Sequence, residues 1–108
     1  MEAKYFDITT ADGYDATAFY VRTKKGSIRG LYIKEEDRII VHNVVANKGL
    51  KGLMNILINK FKTRKVTFSP LVNDNIKKKV RGKVRVIPAN AKGNPYGVPI
   101  EILETEWR

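Results

Sequence analysis

The chain contains no cysteine and no glutamine, and it has one histidine, one tryptophan and four prolines. Without cysteine there are no disulfides, zinc ribbons or thiol nucleophiles. His42 is the sole imidazole, so a histidine-based metal site is not expected within one chain, and no metal is predicted. No run approaches the roughly 20 apolar residues that a membrane-spanning helix needs. The first ten residues, MEAKYFDITT, have neither the basic nor the apolar region of a secretory leader. A cytoplasmic protein without a membrane partner is therefore expected. The lack of glutamine beside plentiful Lys, Arg, Ile and Val leans toward a thermophilic source, while eight asparagines lean the other way.

What is present is enough for one core. At 108 residues and 43% hydrophobic content, the sequence predicts a single folded domain over 1–108. The net charge of +10 is unevenly placed. Residues 1–47 hold seven basic and seven acidic side chains, and residues 86–108 hold two and three. Residues 48–85 hold twelve basic side chains and one acid, Asp74. Such a block implies a local positive field and an anionic partner.

Alternation predicts strands at 5–9, 16–22 and 27–33, joined by polar turns at 11–15 and 23–26. Arg38 to Ala46 carries apolar residues on both faces, the pattern of a central strand covered on both sides. From Leu50 the apolar residues Leu50, Leu53, Met54, Leu57, Ile58 and Phe61 recur at helical spacing, which predicts a helix over 50–61. A short strand over 66–69 ends at Pro70. A second helix is predicted from Asn73 as N-cap to Gly82, with Ile76 and Val80 buried. Strands follow at 83–87 and 98–107, around a loop rich in Pro, Gly and Asn that carries Tyr96. Strand, helix and strand in succession from 38 to 69 favour a crossover and one parallel pair. The fold class is α+β, with a mixed, mainly antiparallel sheet and two helices.

The most informative segment is the corner from Asn47 to Gly52. A helix that opens at a glycine-containing corner after a strand presents free N–H groups and the positive end of its dipole, which is how phosphates are held. Lys48 and Lys51 flank it. The same segment also reads as an ordinary strand-to-helix turn, since Asn and Gly are favoured in such turns whatever the function.

The order of elements in GSIRGLYIKEEDRIIVHNVVANKGLKGLMNILINKF, continued by VTFSPLVNDNIKKKVRG, resembles the Gcn5-related N-acetyltransferases. In that family a hairpin leads into a strand, a pyrophosphate-binding corner of the form Arg/Gln-x-x-Gly-x-Gly/Ala, and the helix that the corner opens. Gly52 matches this motif, whereas Gly49 stands where Arg or Gln is usual and Met54 where the second small residue is usual. The tyrosine that the family uses as general acid corresponds to a position close to Val80. The segment before Ala16 is too short for the family's N-terminal helix pair, so the resemblance implies a reduced core lacking it. It also implies acetyl-CoA as cofactor, held by Val44, Val45, Ala46, Lys48, Gly49, Leu50, Lys51, Gly52, Leu53 and Asn73, with His42 near the place of the catalytic base.

Two alternatives stand beside an acyl-CoA-binding, amine-acetylating protein. One is a nucleic-acid-binding module that uses Lys60, Lys62, Arg64, Lys65, Lys77, Lys78, Lys79, Arg81, Lys83 and Arg85 on phosphates. The other is an interaction protein that keeps an acetyltransferase-like scaffold without its chemistry.

Overall fold

A computed structural model describes residues 1–46, 48–71, 74–92 and 94–108, and the side chain of Asp74 is not described. The periodicities translate into strands β1 (Glu2–Thr9), β2 (Asp15–Thr23), β3 (Gly26–Ile33) and β4 (Arg38–Ala46) and helix α1 (Leu50–Phe61). These are followed by β5 (Lys65–Phe68), α2 (Asp74–Lys79), β6 (Lys83–Ile87) and β7 (Ile100–Glu106). The seven strands form one sheet in the order β1-β2-β3-β4-β5-β7-β6. β4 lies at its centre, and the β4–β5 pair is parallel as expected for a strand-helix-strand unit.

Cross-strand partners share a face, so Tyr5, Phe19, Gly30, Val41, Phe68, Leu103 and Val84 trace one row across all seven strands. Both helices bury onto this side. Leu53, Met54, Leu57 and Ile58 of α1, with Ile76 and Val80 at α2, join Phe19, Val41, Phe68 and Leu103 in one core. The opposite row runs Phe6, Ala18, Leu31, Ile40, Thr67, Glu104 and Lys83, and neither helix packs on it. β4 is therefore covered on one face, not two. Its second apolar set, Ile40 and Val45, faces the helix-free side, where Val45 is 63% exposed.

Smaller departures have local causes. β1 begins at Glu2, three residues earlier than its alternation suggests, because an eight-pair register with β2 holds it. α2 ends at Lys79, before Gly82, since the chain must enter β6 beside β7: Gly82 lies against the Glu104 backbone, and Thr105 Oγ1 donates to the Arg81 carbonyl. The predicted N-cap of that helix, Asn73, lies outside the described residues. β7 starts at Ile100, after Pro99, which has no N–H for a ladder.

Phe61 ties the far end of α1 to three strands. Its ring stacks on Tyr32 at 4.5 Å, meets Tyr5 edge-on at 5.8 Å and lies 5.9 Å from Phe19. Tyr32 donates its hydroxyl to Asp37 at 2.7 Å, and the Lys60 ammonium sits 4.6 Å from the Tyr5 ring centre. Truncating this hub through Phe61→Ala should cost about 3 kcal/mol, measured by urea unfolding.

Both phenols are held above their ordinary pKa, Tyr32 by its hydrogen bond to Asp37 and by burial, Tyr5 by burial. A raised folded-state pKa gives stability that is complete below the unfolded phenol's pKa and is lost as pH rises through the folded value. The melting temperature should therefore fall above about pH 10. A Tyr5→Phe, Tyr32→Phe variant should fall less steeply over the same range, and identical slopes would rule out this linkage.

A candidate anion-binding cleft

β4 and β5 stay together for three residue pairs only, Ile39↔Val66, Ile40↔Thr67 and Val41↔Phe68. Ser69 adds one more hydrogen bond, N–H to the Val41 carbonyl at 2.9 Å, and Pro70 follows. Beyond Val41, β4 runs on to Ala46 paired, among the described residues, with β3 alone, and the other edge can receive a group with amides to offer.

His42 sits where the two strands part. Arg29 faces Asn43 and Gly30 faces Val41, which makes His42 the extra residue of a β-bulge. Its Nδ1 lies 2.7 Å from the Ser69 carbonyl. A carbonyl only accepts, so Nδ1 is the protonated nitrogen of this contact and Nε2 points away from it. Val41, Val44, Phe68, Pro70, Leu71 and Ile76 surround a small cavity of about 30 Å³ beside this ring, on the helix-covered side.

From His42 the strand runs on for about 13 Å to its end at Ala46, and α1 opens at Leu50. Gly49 is the N-cap and makes no side-chain cap, and the first turn holds no acidic residue. The first hydrogen bond within the helix runs from Leu53 N–H to the Gly49 carbonyl, so earlier N–H groups have no partner inside the helix. The first turn thus adds no negative charge to this positive end.

Two concavities flank it, of about 440 and 360 Å³. The first is lined by Lys24, Lys25, Lys48, Gly49 and Gly52, among others, and the second by Lys48, Lys51, Lys79, Trp107 and Arg108, among others. Neither is lined by an acidic side chain among the described residues. Lys24 and Lys25 from the β2–β3 turn and Arg108 from the chain end are the cations that local sequence reading missed. Their signal is tertiary: a Cβ on Gly49 would lie 2.7 Å from the Lys25 Cβ, so only glycine lets the turn and the helix start meet so closely.

Of the residues expected to hold a cofactor, Val44, Val45 and Ala46 lie on the open-edged part of β4, and Lys48 to Leu53 form the corner and first turn. Within this group Leu53 and Gly49 are buried, and Lys48, Lys51 and Gly52 are exposed. Asn47 and Asn73 lie outside the described residues. Among the described residues no three metal-ligating side chains gather, and no helix is long and apolar enough to cross a membrane.

The expected nucleic-acid set does not form one face. Lys77, Lys78 and Lys79 project from α2, whereas Lys65, Lys83 and Arg85 lie on the helix-free side of the sheet. Lys62 caps α1 and Arg64 donates to the Trp107 carbonyl. β7 supplies acids to the basic block: Lys77 pairs with Glu101 at 2.8 Å and Arg85 with Glu104 at 2.6 Å, while Lys65 and Lys83 stand opposite Glu106 and Glu104.

The two corner glycines separate packing from ligand access. Gly49→Ala should destabilise by about 1–3 kcal/mol through overpacking against Lys25. Gly52→Ala meets nothing within 4 Å and should be neutral or stabilising by up to about 1 kcal/mol, since alanine favours the helix. Chemical denaturation of the two variants checks this contrast. Comparison of the chain with protein-family models, with curated proteins and with solved structures found no match.

Proposed function

We propose that the chain binds acyl-CoA and transfers an acetyl group to an amine, in the manner of a reduced Gcn5-related N-acetyltransferase. One observation carries the reading: a parallel strand pair parts after three residues, and the freed edge of β4 leads into a helix start without cap or acid. The pyrophosphate falls to the N–H groups of the first turn, with Lys48 and Lys51 alongside and Lys24 and Lys25 in place of the missing Arg or Gln. The pantetheine amides find donors and acceptors along Asn43 to Ala46, as an added strand would. Acetyl-CoA supplies the thioester carbon on which the amine acts.

His42 serves as the base. Its Nδ1–H is held by the Ser69 carbonyl, and Nε2 takes the proton that the amine loses as its nitrogen bonds to the acyl carbon. The departing sulfur takes its proton from solvent, because Val80, close to the position of the family's tyrosine, is a buried aliphatic residue.

Titration with CoA should move the amide signals of residues 43–46 and 48–53 and leave β1 unmoved; no movement at about 5 mM CoA would sink the proposal. Gly52→Ala should weaken CoA binding without loss of stability, since the new methyl group enters the ligand's approach. His42→Gln should retain CoA affinity and lower acetyl transfer by about 10²–10⁴-fold, read with an amine acceptor. Equal rates for both proteins would remove His42 from the chemistry.

A further inference from the structure

The helix-free side of the sheet carries a shallow cavity of about 480 Å³ over β4, β5, β7 and β6. Its charged or titratable lining is Glu36, Arg38, His42, Arg85, Lys92 and Glu104. Arg85 and Glu104 occupy each other at 2.6 Å. Arg38 is half-buried and gives one guanidinium nitrogen, Nη1, to Thr67 Oγ1 at 2.9 Å. No carboxylate among the described residues pairs with Arg38 or Lys92, and no cation pairs with Glu36. The floor between these groups is aliphatic, with Ile40 and Ile102 on it.

His42 lines this cavity and also the small one on the opposite side of the sheet, because the bulge puts it at the point where β4 and β5 part. A ligand on the helix-free side thus reaches the same imidazole as one bound along the β4 edge. We propose that this cavity holds the acetyl acceptor and that the acceptor is a small amino-carboxylate of about dipeptide size, an assignment that rests on the acetyl-transfer reading above. Two unpaired cations face its carboxylate, with Arg38 offering its planar fork. Glu36, the one unpaired acid, complements an ammonium group, and the isoleucine floor takes an aliphatic side chain. The reaction forms an N–C bond, breaks the thioester C–S bond and passes the amine proton to His42.

The test uses alanyl-alanine and its C-terminal amide, each titrated into the protein without CoA and followed by amide signals. The free acid should move Arg38, Ile40, Thr67 and Ile102 and leave residues 48–53 unmoved. The amide should bind at least about tenfold more weakly. Arg38→Met should reduce affinity for the free acid about tenfold, and Lys92→Ala, an exposed change that leaves the fold intact, about threefold. No movement at about 20 mM, equal binding of acid and amide, or unaltered affinity in the Lys92 variant would each overturn the assignment. CoA binding is read at residues 43–46 and 48–53, so loss of that response with dipeptide binding intact removes the acetyl-transfer reading and keeps the carboxylate site, and the reverse result does the opposite.

Discussion

The parallel contact between β4 and β5 is three residue pairs long, and the organisation of the protein follows from its shortness. A parallel pair requires a crossover, and α1 supplies it by covering β2, β3 and β4. Because β5 stops at Phe68 while β4 continues to Ala46, one strand edge is left without a β5 partner at the centre of the sheet. A longer β5 would close that edge, bury His42 between two ladders and separate the two cavities from each other. The bulge at His42 and the Ser69 carbonyl bonded to its ring both lie at this parting point.

The second constraint is one-sided cover. Both helices pack on the face that carries Phe19, Val41, Phe68 and Leu103, so the apolar core is a single layer between sheet and helices. The other face mixes exposed apolar and polar residues, with Phe6 60% and Val45 63% accessible, and buries Ala16, Ile33 and Ile102 away from the helices. That cover leaves a cavity on the second face, while the cleft between β4 and α2 belongs to the first. His42 is the residue common to both.

The helix α1 was legible in the sequence to the residue, because six apolar positions at helical spacing leave no strand alternative. β4 was legible as an element and as the sheet's centre, but its two apolar faces suggested cover on both sides. Apolar content records what a face tolerates and not what is laid upon it, so Val45 gave the wrong expectation. The corner at 48–52 was visible as glycine and lysine around a helix start. Its further cations were not, because Lys24 and Lys25 are brought to Gly49 by a turn more than twenty residues away.

Charge marks the division most clearly. By itself the sequence determined the strands, the main helix, the single crossover and a strongly basic middle third, all of them properties of neighbours along the chain. Only the tertiary structure decided what that basic block meets. β7 enters the sheet between β5 and β6, which sets Glu101, Glu104 and Glu106 among Lys65, Lys77, Lys83 and Arg85. At the start of α1, no acidic side chain among the described residues lines the two concavities. Local periodicity is set by the geometry of one residue and the next, whereas strand order is set by which distant edges find one another, and electrostatic neutralisation follows strand order.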